Sequence, residues 1–208
     1  MKIQIFCTLG PKSINKKFLK SISNQVHLLR LNMSHLSLNK LQKNLVYIKK
    51  ISKIPICIDT EGAQIRTKIF KKKFFKLGKI FKIFDAKSKI SLYPEEVKSL
   101  LKKNDKLDIG FEGLKVKIIK KKLKYIEVKV ISDGWFEDSK GVHVTNRYLK
   151  LNCLTKKDLK AIELGKKYKI KNYALSFTNT INDVKTFNDL LPNYKKIFKI
   201  ESSQALKN

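Results

Sequence analysis

The feature that most constrains this chain is a rhythm of apolar, strand-like runs alternating with amphipathic, helix-like stretches. It is broken once and then resumes. Lys2–Leu9 (KIQIFCTL) has the pattern of a strand, closed by Gly10 and Pro11. Residues 14–23 have a helical pattern, and Val26–Asn32 (VHLLRLN) that of a buried strand. Ser37 is placed to cap a helix over 38–52, whose apolar stripe is Leu38, Leu41, Leu45, Ile48 and Ile51. Ile54–Thr60 (IPICIDT) is a further short apolar strand. This β-α-β-α-β order argues for parallel strands joined by right-handed helical crossovers.

Near residue 67 the texture changes. Residues 68–145 hold short alternating segments such as Lys115–Ile119 and Tyr125–Ile131, with turn signals at Gly110, Gly113 and Asp133-Gly134. They predict a small β-rich insert. The rhythm then returns. Thr155 and Asp158 form a capping-box start for a helix reaching about Tyr168. Asn172–Phe177 predicts a strand, 181–191 a helix and Lys196–Glu201 another strand.

At 208 residues the chain is long enough for one large domain, or one domain with a smaller insert. Its net charge of +30 raises nucleic acid or an anionic membrane as partners. The make-up of the basic set argues against nucleic acid. Only Arg30, Arg66 and Arg147 are arginines, and the other basic residues are lysines spread along the whole length. Base and phosphate readers lean on the arginine fork. The excess reads mainly as a solvated lysine surface from a bias towards Lys, Ile and Asn. Polyanion binding is the alternative, and the lysine triplets at 71–73 and 120–122 are where it would sit. No apolar run approaches the roughly 18 residues of a membrane span. Cys7, Cys57 and Cys153 offer neither a disulfide framework nor metal spacing, which suits core thiols in a reducing cytoplasm. His27, His35 and His143 make no ligand motif.

The chemistry gathers at the C-terminal ends of the predicted strands. One ends in Arg30-Leu31-Asn32-Met33-Ser34-His35, the next in Asp59-Thr60-Glu61-Gly62 with Arg66 beyond, and the last in Lys199-Ile200-Glu201. In parallel α/β folds the ligand lies at that edge. Two arginines and a lysine suit phosphate oxygens, while Asp59 and Glu201 are hard oxygen ligands suited to Mg²⁺ or K⁺. Together they describe a phosphoryl-transfer site built from positioning and charge neutralisation. The bland alternative is that each strand-end charge simply faces solvent.

At these residues the sequence resembles the pyruvate kinase family. The stretches that carry the resemblance are KIQIFCTLGPKS (2–13), LLRLNMSHLS (28–37), ICIDTEGAQIRT (56–67), SKGVHV (139–144), LTKKDLKAI (154–162), YALSFTNTINDV (173–184) and IFKIESSQALKN (197–208). The resemblance implies an α/β fold: an incomplete TIM-type (β/α) barrel over 1–66 and 151–208, with a small β-barrel domain inserted at 67–150. It implies phosphoryl transfer from phosphoenolpyruvate to ADP, as in glycolysis. Arg30 matches the arginine that holds the phosphoryl group, and Lys199 the lysine that stabilises it in flight. Asn32, Ser34, Asp59 and the Thr60 carbonyl match the K⁺ site. Arg66 and Lys140 match nucleotide-phosphate contacts. Glu201 matches one of the carboxylates that hold Mg²⁺ (or Mn²⁺).

The sequence also departs from the family pattern. TEGAQIR stands where TKGPEIR is usual, so Glu61 reverses a charge and is expected to weaken phosphate binding. Leu36 stands where a glycine is usual. The family barrel has eight strands, but about five are counted here, and the ARGDLG-type segment with the second metal carboxylate is missing. An opened barrel exposes unpaired strand edges, so self-association or a second chain completing the barrel is expected. Two further readings stay open beside a truncated or split pyruvate kinase. One is a catalytically inactive binding or assembly module, and the other is a lysine-rich polyanion-binding protein.

Overall fold

The computed structural model describes residues 3–84, 90–110 and 113–208. Two compact units divide the chain: residues 1–63 with 152–208, and residues 64–151. The fold is mixed α/β, with a parallel five-stranded sheet in the first unit and a closed seven-stranded barrel in the second.

The first unit begins with β1 (Phe6–Thr8), α1 (Lys16–Ser21), β2 (Leu28–Asn32), α2 (Leu38–Ile51) and β3 (Ile56–Asp59). The second holds β4 (Ile65–Ile69), β5 (Lys73–Phe75), β6 (Ile80–Phe84), β7 (Ile90–Tyr93), α3 (Val97–Leu100), β8 (Lys106–Ile109), β9 (Leu114–Lys121), β10 (Tyr125–Ser132), β11 (Gly134–Phe136) and β12 (Gly141–Val144). The chain then returns to the first unit as α4 (Lys156–Lys167), β13 (Asn172–Leu175), α5 (Ile181–Leu190) and β14 (Lys195–Phe198).

In the first unit the strand order is β1-β2-β3-β13-β14, and every neighbouring pair is parallel. Parity along each strand sorts the side chains into two sets, because successive residues face opposite ways. Leu29, Leu31, Ile58, Tyr173 and Leu175 share a core with Leu41, Leu45 and Ile48 of α2, Ala161 and Ile162 of α4 and Phe187 of α5. The opposite set includes Leu28, Cys57 and Ala174, which form a small cluster of their own. Register places Arg30 beside Cys57, Asn32 beside Asp59 and Asp59 beside Ala174, so Arg30, Asn32 and Asp59 lie on that helix-free face. A one-residue slip in β2 or β3 would bury these charges under the helices.

The helices start where the sequence places their caps. Ser37 Oγ accepts from the Lys40 amide, and capping boxes open α4 (Thr155, Asp158) and α5 (Thr180, Asp183). The stripe on α2 holds at its centre: Leu41, Leu45 and Ile48 are fully buried, while Leu38 and Ile51 pack at its margins.

The barrel of the second unit has the order β10-β6-β7-β4-β12-β8-β9, with β5 and β11 as a separate two-stranded ribbon. All neighbours are antiparallel except β6 and β7. Its interior is filled by Ile65, Ile83, Val116, Ile118, Val128 and Val142 with their neighbours.

Several elements are shorter than their apolar runs suggest. β1 starts at Phe6, and Ile3 and Ile5 are 83% and 49% exposed. Lys2, where that strand is expected to begin, lies outside the described residues. Lys199 and Glu201 follow β14 instead of ending it. Asp133-Gly134 is not a hairpin turn: Gly134 opens β11 and packs so closely that an added Cβ would sit 2.3 Å from the Leu114 nitrogen.

Candidate functional site

At the C-terminal edge of the parallel sheet, four charged side chains meet on the helix-free face. Asp59 ends β3 and is fully buried. Lys199 Nζ lies 3.0 Å from each of its carboxylate oxygens, and Arg30 Nη1 lies 3.4 Å from Oδ2. Lys199 also reaches Glu201 at 3.4 Å, and the Phe177 amide donates to Glu201 Oε2 at 3.0 Å. Phe177 adopts a left-handed φ of 51° to present that amide. Such a buried carboxylate is tolerable only because two cations offset its charge and a hydroxyl donates to it. The nearby Cys57 thiol is pushed up to about 12 by burial and then by the Asp59 charge, so it stays protonated.

The hydroxyl on Asp59 belongs to Ser176, immediately after β13. Its Oγ lies 3.1 Å from Asp59 Oδ1 and 2.7 Å from the Thr60 carbonyl, and its amide donates to Thr60 Oγ1 at 3.0 Å. Gly62 makes this approach possible. It has φ +70°, and a Cβ there would lie 2.2 Å from the Ser176 carbonyl oxygen.

A second cluster holds the loop after β3 from its other side. Glu61 is buried, accepting from Lys157 Nζ at 2.9 Å and from Thr155 Oγ1 at 3.2 Å. Lys157 also donates to the Met33 carbonyl at 2.6 Å, which ties the turn after β2 to the loop after β3. Asp158 accepts from the amides of Glu61 and Gly62 at 2.7 and 3.2 Å, as well as from Thr155. Burial raises the Asp158 carboxyl, against the pull of these amides. Glu61 is thus not the bare negative charge expected from the sequence: an internal ion pair with Lys157 offsets it.

The matching family model, pyruvate kinase barrel domain, spans residues 1–208. The chain belongs to the pyruvate kinase family. Pyruvate kinases of Staphylococcus aureus strains USA300, COL and MRSA252 are each 27% identical to it over 226 aligned residues. The alignments cover 100% of this chain and 39% of each relative, so the chain spans about two fifths of the length of the curated relatives it matches.

Of the residues singled out by the pyruvate kinase resemblance, Arg30, Asp59, Lys199 and Glu201 form one contact network. Asn32 and Ser34 lie at the same sheet edge, where Asn32 Oδ1 accepts from the Ser34 amide and caps the short turn Met33–His35. The Thr60 carbonyl is held by Ser176. Arg66 and Lys140 belong to the second unit. Arg66, on β4, pairs in register with Gly141 of β12 and donates from Nη1 to the Ser139 carbonyl at 3.3 Å. Lys140 Nζ lies 3.2 Å from Glu137, and its amide donates to Thr67 Oγ1 at 2.9 Å.

Ser176 and Lys157, which residue type alone does not single out, contact Asp59 and Glu61. Both lie in stretches that carry the family resemblance, YALSFTNTINDV and LTKKDLKAI. A serine and one lysine among so many give no signal of their own.

The Asp59 carboxylate, Thr60 carbonyl and Ser176 hydroxyl form an oxygen-only set, the donor chemistry a monovalent cation takes, but both Asp59 oxygens are already engaged by Lys199. Among the described residues no three His, Cys, Asp or Glu side chains group as a metal site.

Proposed function

We propose that the chain carries pyruvate kinase chemistry: transfer of the phosphoryl group of phosphoenolpyruvate to ADP, in the cytoplasm. The observation that carries this reading is the pairing of Arg30 and Lys199 around buried Asp59 at the C-terminal edge of the sheet. Arg30 Nε is buried without a hydrogen-bond partner among the described residues, which leaves a donor for an anion. In this reading the first unit is part of a (β/α) barrel whose interior is the helix-free face, and residues 67–150 are its inserted domain. The outer strands β1 and β14 would be covered by further barrel strands, whether from the same protein, a second copy or another chain.

Arg30 and Lys199 hold the phosphoryl oxygens. As the enol P–O bond breaks and a bond to the ADP β-phosphate oxygen forms, the Lys199 ammonium offsets charge on the equatorial oxygens. The enolate then takes a proton to become pyruvate. Asp59 keeps both cations oriented. Asn32, Ser34, Asp59 and Thr60 would hold K⁺, Glu201 would hold Mg²⁺ (or Mn²⁺), and Arg66 and Lys140 would contact nucleotide phosphates. A bound divalent cation supplies Lewis-acid polarisation of phosphate and enolate oxygens.

A second reading, in which the chain binds phosphate-bearing ligands without turnover, has behind it that among the described residues no three His, Cys, Asp or Glu side chains group around Glu201. A lactate-dehydrogenase-coupled assay with phosphoenolpyruvate, ADP, Mg²⁺ and K⁺, with light scattering on the same sample, separates the two. Turnover that disappears in Lys199→Ala is the expected result. A folded sample that binds phosphoenolpyruvate but never turns over would replace the first reading by the second.

A further inference from the structure

The second unit carries an exposed face that phosphoryl transfer does not use. In the β5–β11 ribbon Phe74 stands opposite Trp135. Phe75 and Phe136 are buried, whereas Phe74 and Trp135 are 43% and 46% exposed. The two exposed rings meet edge to face with centroids 5.3 Å apart. Phe70, shortly before β5, is fully exposed, and Leu77, shortly after it, is 68% exposed. The paired exposed rings form an apolar surface of the kind that marks interaction sites more often than scattered single residues do.

The segment that carries Phe74 is strongly basic, while carboxylates flank Trp135. Residues 70–82 contain six lysines and no carboxylate. All six (Lys71, Lys72, Lys73, Lys76, Lys79 and Lys82) are exposed, but Lys73 stands over the Phe75 ring and Lys82 over the Tyr125 ring. Lys72 Nζ sits 4.7 Å from the Trp135 ring centre. The carboxylates of the adjoining segment are already engaged. Glu137 lies 3.9 Å from Lys72 and 3.2 Å from Lys140, Asp138 lies 3.9 Å from Lys68, and Asp133 accepts the Leu77 amide.

Exposed rings among excess cations match one chemistry closely. A single-stranded nucleic acid offers a π-face at every base and a charge at every linkage. A duplex hides its base faces, and a simple polyanion has none. Lysine in place of arginine suits a contact that is indifferent to sequence, since point charges neutralise phosphate without reading base edges. We propose that the Phe74–Trp135 face of the second unit binds single-stranded nucleic acid, with bases stacked on the two rings and phosphates on Lys72 and the exposed lysines next to it. The lysine make-up argued against nucleic acid, with polyanion binding at the triplet 71–73 left as an alternative; what the sequence did not show is the pairing that brings Trp135 beside Phe74.

Trp135 is the only tryptophan, so its fluorescence reports this face directly. The full chain would be titrated with oligouridylate over a range of salt concentrations. The expected result is saturable quenching of Trp135, with log K falling by about 0.7 per phosphate neutralised for each unit of log salt. Phe74→Ala should weaken binding about tenfold or more, and Lys72→Gln should flatten the salt slope. Should Phe74→Ala fail to fold, Phe70→Ala with a labelled oligonucleotide and an anisotropy readout tests the same face. Three results would each overturn the proposal: no quenching by oligouridylate, heparin binding as tightly as oligouridylate, or a Trp135 response to anionic vesicles alone. Undiminished binding by the ring variants would do the same.

Discussion

Glu61 shows how a single residue changes meaning between sequence and structure. Read by charge alone, a carboxylate beside an anion site opposes phosphate. In the fold it is buried and bonded to Lys157 and Thr155, and Lys157 extends the contact to the Met33 carbonyl. Lys157→Met should therefore destabilise the first unit by about 3 kcal/mol, because it strands a buried carboxylate. Lys157→Met with Glu61→Gln should recover most of that loss. Urea denaturation of the two variants checks both, and equal losses would mean that the pair is not coupled. The meeting of Arg30, Asp59, Lys199 and Glu201 was legible because parallel strands bring the residues at and just beyond their C-terminal ends to one edge. Lys157 was not legible, since nothing distinguishes it from dozens of solvated lysines until α4 is docked.

At the scale of elements, local signals were the reliable ones. The caps at Ser37 and Thr155 start their helices as expected, because each satisfies amides within its own turn. The two capping boxes can be told apart by what else they touch. Thr180→Ala should cost about 1 kcal/mol, the usual worth of a cap. Thr155→Ala should cost clearly more, since Thr155 Oγ1 also donates to buried Glu61. Thermal or chemical unfolding of the two variants gives the comparison, and equal losses would remove Glu61 from the account. Strand ends were less legible than helix starts. Apolar residues at 3 and 5 predicted a longer β1, yet they are exposed, because strand length depends on a neighbour to pair with. The ribbon of β5 and β11 was not legible at all: its pairing joins residues distant in sequence, and Asp133-Gly134 carries a turn signal where the structure opens a strand.

For the whole molecule, parity and parallel order do most of the positioning. Parallel strands bring all their C-terminal ends to one edge, and alternation sends Arg30 and Asp59 away from the helices. The β-α-β rhythm made this order legible from sequence, but the seven-stranded closure of the second unit was not, because short alternating runs do not reveal their partners. The account stands or falls on whether that edge receives a phosphate-bearing ligand. Calorimetric titration of phosphoenolpyruvate, with Mg²⁺ and K⁺ present, into the wild-type chain and into Lys199→Ala and Arg30→Ala tests it most directly. The account predicts saturable binding by the wild type, weakened at least about tenfold in each variant, as expected when a charge-assisted contact is lost. Binding of equal strength in all three, or none by a folded and monodisperse wild type, would contradict it.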